Sequence, residues 1–266
     1  MQISGRTLYA LSVTATCAMG CATPEPVVID SGIQWVRTAA EFDALSLQAY
    51  RAATDALETK IADKTWSALP YQADAGDKPP AVIFDVDETV ISNVEFQLTL
   101  EPPFEDRKLD EWAAANPAEP IEGFPAFARR ARELGVELFF VTNRPCEPRE
   151  SNPDPCPQKA NVVNEILEAG VPVDPAFVML SYERPEWTKE KKIRRDLIAE
   201  NYRVIMLIGD DLGDFLPCSR RRPLAPCTDG ATAESRRNAT IEHARYWGNG
   251  WYILPNPMHG SWTTVD

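Results

Sequence analysis

Histidine is nearly absent: His243 and His259 are the two in a chain of 266 residues. A histidine-rich metal centre is therefore excluded. Basic residues are also short, with 27 Lys and Arg against 40 Asp and Glu, a formal charge of −13. Nucleic-acid backbones need clustered cations, so a nucleic-acid partner is not expected. Long apolar runs are missing too. Leu8 to Met19 is mostly apolar but falls short of the about 20 residues that span a bilayer, and no later stretch does better. What remains, with 44% apolar and 25% charged residues, is a globular composition long enough for one large domain or two small ones. Proline is abundant at 23 residues, which predicts rigid loops. The acidic excess has two readings, solubility or a carboxylate site for a cation.

Residues 1–20 read as a signal peptide in which Arg6 is the sole formal charge. Ala18-Met19-Gly20-Cys21 resembles a bacterial lipobox, although Ala18 stands where leucine is usual. Cys21 would then be lipidated, and residues 21–34, with Thr23-Pro24-Glu25-Pro26, would be a tether to the membrane surface. The alternative is an ordinary cleaved signal and a soluble secreted protein. Cys17 leaves with the signal, and the four remaining cysteines fall as Cys146 with Cys156 and Cys218 with Cys227. An exported chain meets an oxidising compartment, so two short-loop disulfides are predicted, worth about 2–3 kcal/mol each in the chain-entropy picture. Neither pair has the tight spacing of zinc ligands.

Thr38-Ala39-Ala40-Glu41 has the form of a capping box, and Phe42, Leu45, Ala49, Ala52, Ala56 and Ile61 then recur at helical spacing. Four short apolar runs predict buried strands: Ala81 to Phe84, Val136 to Val141, Phe177 to Leu180 and Val204 to Ile208. Helical patterns separate them, over Phe124 to Leu134, Gln158 to Ala169 and about Lys189 to Asn201. Alternation of this kind implies an α/β fold, a parallel sheet with helices on both faces.

Ligands of such sheets bind beyond the carboxyl ends of the strands. The first run ends Asp85-Val86-Asp87-Glu88-Thr89, the second Thr142-Asn143-Arg144, and the fourth Gly209-Asp210-Asp211-Leu212-Gly213-Asp214. If these strands are neighbours, Asp85, Asp87, Asp210, Asp211 and Asp214 crowd one rim. Two like charges 4 Å apart repel by about 4 kcal/mol at an effective dielectric near 20, so a cation or raised pKa values are required. All-oxygen ligation fits Mg²⁺ better than zinc or copper. A phosphate ester is its natural partner. Asp85 could attack phosphorus, and Asp87, two residues on, could serve the leaving oxygen as acid and then water as base.

These three segments resemble motifs one, two and four of the haloacid dehalogenase superfamily. More narrowly, the chain resembles the lipoprotein e family of class C acid phosphatases, which are bacterial lipoproteins. Trp35-Val36-Arg37-Thr38-Ala39-Ala40-Glu41 leading into Gln48-Ala49-Tyr50, Asp87-Glu88-Thr89-Val90-Ile91-Ser92-Asn93, and Leu254-Pro255-Asn256-Pro257-Met258-His259-Gly260-Ser261-Trp262 carry that match. The resemblance implies a haloacid dehalogenase-like domain over 35–266, with a small helical cap at about 94–122. It implies a Mg²⁺-dependent phosphomonoesterase working through an aspartyl-phosphate, and an outer-membrane lipoprotein facing periplasm or surface. Asp85 would be the nucleophile and a metal ligand, Asp87 the acid/base and a ligand through its carbonyl, and Asp210 the third ligand. Thr142, Asn143 and Arg144 would hold the phosphoryl group, with Asp211 and Asp214 behind them. Lys191 would be the motif-three lysine, opening a Lys-x-x-Arg-Arg pattern. Lysine at a helix start opposes the helix dipole, which calls for a compensating anion. Trp112 matches a substrate-side tryptophan of the family, but Leu109 stands where a base-stacking aromatic is expected, so a 5'-nucleotidase preference does not follow. Two other readings remain: a phosphotransferase using the same intermediate, and a non-catalytic ligand-binding surface lipoprotein.

Overall fold

The computed structural model describes residues 30–150 and 152–265. The signal segment, Cys21 and most of the expected tether lie outside the described residues. Helix α1 (Ser31–Thr38) begins within the stretch expected as tether and is followed by α2 (Ala40–Ala62). Five strands then form one parallel sheet: β1 (Pro80–Phe84), β4 (Glu137–Pro145), β5 (Val178–Ser181), β6 (Arg203–Gly209) and β7 (Trp251–Ile253), in the order β5-β4-β1-β6-β7. Helices α5 (Phe124–Glu133), α6 (Gln158–Glu168), α7 (Lys192–Asn201) and α8 (Ala233–Glu242) complete the domain. A short antiparallel ribbon, β2 (Ile91–Ser92) with β3 (Glu119–Pro120), frames α3 (Val94–Thr99) and α4 (Asp106–Ala115). These two helices occupy the stretch expected as cap.

Two buried clusters flank the sheet, as the period-two geometry of strands requires. Val82, Phe84, Leu138 and Phe140 face one, with Phe124 and Phe127 of α5; Ala81, Ile83, Phe139 and Val141 face the other. The rings of Phe84 and Phe140 stack 5.3 Å apart across the β1–β4 pair. On β6, Ile205 and Met206 both join the first cluster because the β1–β6 register shifts there, leaving Ile205 as the extra residue.

The long helix appears as expected, but its buried stripe is Phe42, Ser46, Tyr50, Ala53 and Leu57, and Leu45 lies exposed. Polar residues can occupy that stripe because their hydroxyls are satisfied: Ser46 donates to the Phe42 carbonyl and Tyr50 to the Thr89 carbonyl, at 2.9 and 2.7 Å. The capping box is not formed. Ala39 is the N-cap without a side-chain bond, and Thr38 donates instead to the Gln34 carbonyl, ending α1. Strand β7 lies outside the four apolar runs from which the sequence predicts strands. Among the described residues no helix is long and apolar enough to cross a membrane.

Candidate active site

The sheet order places β4, β1 and β6 side by side, so the three motif-bearing strand ends meet at one edge. One carboxylate oxygen each from Asp85, Asp210 and Asp214 lies within 4.8 Å of the others. Gly209, the last residue of β6, makes this possible: a Cβ there would stand 2.3 Å from Asp214 Oδ2. Lys191, buried at the N-cap of α7, pairs with Asp85 and, at 2.6 Å, with Asp214. These carboxylates are the anions a lysine at a helix start calls for. Neighbouring lysines are engaged elsewhere, Lys189 with Asp106 and Lys192 with Asp196.

Three carboxylates and one ammonium leave an excess of negative charge in a buried place. Burial, with repulsion from Asp214 and Asp87, pushes Asp85 up to about 7 against the pull of Lys191. Burial and repulsion from Asp85 and Asp214 likewise raise Asp210 well above the usual carboxylate range. Burial would lower Lys191, but Asp214 and Asp85 outweigh it and hold the ammonium charged. An all-oxygen, over-acidic cluster of this kind suits a hard divalent cation.

Two arginines behind Lys191 build the frame. Arg194 donates to the carbonyls of Thr142 and Met179, and Arg195 to those of Gly213 and Asp214. Both are fully buried. They tie the start of α7 to β4, β5 and the loop after β6, so the lysine and the strand ends form one rigid unit.

The five aspartates do not all point to one place. Asp211 caps the short 3-10 turn Leu212–Asp214 and accepts from the backbone and hydroxyl of Ser261 at 2.6 and 2.8 Å. It holds the C-terminal segment against the site. The Asp87 carboxylate turns to Arg144, whose Nε and Nη2 donate to Oδ1 at 3.0 and 2.6 Å. Asn93 adds a third donor at 2.8 Å. Burial raises Asp87, but Arg144 and Asn93 outweigh it and hold the carboxyl below its ordinary range.

Of the residues expected to hold the phosphoryl group, Thr142 is buried beside Asp87, with its hydroxyl 3.4 Å from Oδ2. Arg144 is buried between Asp87 and Glu165 and is not displayed toward solvent. The Asn143 side chain sits among Arg194, Arg220 and the Lys189 carbonyl. Trp112 packs on Phe96 within the cap region, centroids 5.8 Å apart, and Leu109 is buried in α4. Ion pairs of Lys189 with Asp106 and of Arg149 with Asp110 fasten α4 over the loops of motifs three and two.

Sequence reasoning missed four groups. Glu88, in a left-handed conformation and buried, accepts from the Asn93 backbone and pairs with His259 Nε2 at 2.9 Å. Asn256 donates to Asp210 at 2.8 Å. Both His259 and Asn256 belong to the C-terminal segment that carried the resemblance, and that segment was the available signal. Glu165 had none. The disulfides link Cys146 to Cys156 and Cys218 to Cys227. The first closes the loop leaving β4. The second follows motif four, where the Cys218 backbone donates to Glu190, the residue before Lys191.

A parallel sheet with acidic strand ends and a buried lysine at their centre defines a haloacid dehalogenase-like α/β enzyme. The chain belongs to the haloacid dehalogenase superfamily, subfamily IIIB, the acid phosphatases, whose model matches residues 10–262. It is similar to two solved structures of the class C acid phosphatase from Bacillus anthracis, one of them with tungstate bound. Each is 25% identical, with 87% of this chain and 84% of theirs covered, at a TM-score of 0.67. The protein is a phosphoric monoester hydrolase.

Proposed function

We propose that this acid phosphatase is Mg²⁺-dependent, works through an aspartyl-phosphate on Asp85, and acts on small phosphate monoesters from a membrane anchor at Cys21. The observation that carries the chemical part is Asp85 itself, at the end of β1, held by Lys191 inside a cluster of carboxylates. Asp85 and Asp210, with the Asp87 carbonyl, would hold the ion. When bound, Mg²⁺ neutralises phosphoryl charge and lets an anionic nucleophile approach an anionic ester.

The chain's own residues do the rest. An Asp85 oxygen forms a bond to phosphorus as the bond to the leaving oxygen breaks. The bonding pair stays on that oxygen, which takes a proton from Asp87 after Asp87 has left Arg144 and picked that proton up from solvent. Water then gives a proton to Asp87 and attacks phosphorus, the bond to Asp85 breaks, and the carboxylate is restored. Lys191 fixes the Asp85 carboxylate throughout.

A panel of phosphate esters, assayed with EDTA and with Mg²⁺ restored, tests the reading. Turnover that survives EDTA would count against the ion. Nucleoside monophosphates belong in that panel, because buried Leu109 offers no exposed π face to a base.

The raised carboxylates give a second test with a definite sign. A carboxyl raised in the folded state stabilises it at low pH, and that contribution is lost as pH climbs through the folded value, about 7 for Asp85. A cation in the cluster removes this penalty where the penalty exists. Mg²⁺ should therefore raise the melting temperature more at about pH 7.5 than at about pH 5. An equal rise at both would contradict the assignment of the ion to these carboxylates.

The anchor rests on Ala18-Met19-Gly20-Cys21, and the two disulfides fit the oxidising compartment that export would bring. Cys21→Ser should move the protein from the membrane to the soluble fraction of expressing cells, and continued membrane recovery would argue against lipidation there.

A further inference from the structure

Arg144 has two carboxyl partners, and only one of them belongs to the family motifs. Its Nη1 donates to Glu165 Oε2 at 2.5 Å and its Nη2 to Glu165 Oε1 at 3.2 Å, while Nε and Nη2 serve Asp87. Glu165 projects from α6, far in sequence from any motif. Side-chain exposure is 5% for Arg144 and 6% for Glu165, against 19% for Asp87. Arg144 thus sits between two carboxylates, of which Asp87 is the more exposed.

Asp87 cannot serve a leaving oxygen while its carboxylate is spent on Arg144. It must take up a proton from solvent and turn away, and a buried guanidinium left without an anion would strongly disfavour that turn. We infer that Glu165 is a positioning residue for the phosphatase reaction, the counter-anion that keeps Arg144 paired and in place when Asp87 turns from it to the leaving group. The inference rests on the proposed role of Asp87 as proton donor. In the step concerned, the phosphorus–oxygen bond breaks, its electron pair stays on the leaving oxygen, and the proton of Asp87 passes to that oxygen. Without Glu165, Arg144 would close on Asp87 as its sole anion and hold the carboxylate away from the ester.

Leaving groups separate this role from a purely structural one. Nitrophenolate departs with little need of a proton, whereas an alkoxide requires one. Glu165→Gln should lower kcat/KM for glycerol 2-phosphate relative to p-nitrophenyl phosphate by about 10-fold, because kcat/KM reports the step in which the leaving group departs. Glu165→Asp keeps the charge on a shorter stem and should shift the same ratio in the same direction by about two- to three-fold. The shorter acid tests the inference even if the glutamine variant fails to fold. An unchanged ratio in the folded variants, with wild-type turnover of both esters intact, overturns the inference and leaves the proposed function standing. If the wild-type enzyme turns over neither ester, both fall.

Discussion

Asp85→Asn is expected to cut turnover of an aryl phosphate by about ten-thousand-fold or more while leaving the protein folded. The amide has nearly the same shape, so β1 and the backbone bond from Asp85 to the Ile208 carbonyl persist. The oxygen proposed to attack phosphorus, however, is gone. Stability should hold or rise, because burial and the neighbouring carboxylates already push Asp85 up to about 7. Removing its charge relieves repulsion on Asp210 and Asp214, and Lys191 keeps Asp214 as its partner. Steady-state kinetics together with thermal melting check both halves. Near-wild-type turnover would remove Asp85 from the role of nucleophile, and a collapsed fold would contradict the electrostatic reasoning.

Lys191→Met should fail in the opposite manner, losing stability as well as activity. Lys191 is the ammonium that reaches both Asp85 and Asp214, at a position only 3% exposed. Methionine fills much of the space but leaves buried carboxylates facing one another, at a cost of about 3–5 kcal/mol near neutral pH. Turnover should fall by about 100-fold or more, since the ammonium that holds the proposed nucleophile is then missing. The stability loss should shrink as pH falls, because Asp85 and Asp210 protonate readily. Urea unfolding at about pH 7 and about pH 5 reads that difference. A loss that is equal at both values would mean the lysine stabilises by packing alone.

Much of this was legible in the amino-acid order. The four predicted strands are present because their runs are short, apolar and bounded by helical patterns, and the acidic ends follow from them. Which lysine enters the site was also readable, through the Lys-x-x-Arg-Arg pattern and the dipole argument. The missed parts have physical reasons. The α2 stripe shifted because Ser46 and Tyr50 hide their hydroxyls in hydrogen bonds, which a hydrophobicity pattern cannot show. β7 is three residues long and aromatic, and its pairing with β6 depends on contacts across the sheet. The pairing of Arg144 with both Asp87 and Glu165 depends on where α6 docks, which no local pattern encodes. Asp211 read as part of an acidic rim, yet its partner is Ser261, 50 residues away.

The most direct test of the central claim is to quench the enzyme with acid during turnover of an aryl phosphate in Mg²⁺ and map the phosphorylated residue by mass spectrometry. A hydroxylamine-labile phosphoryl group on the peptide that contains Asp85, absent from Asp85→Asn, is the expected result. Turnover with no phosphoryl group on Asp85, or with one on another side chain, would contradict the account.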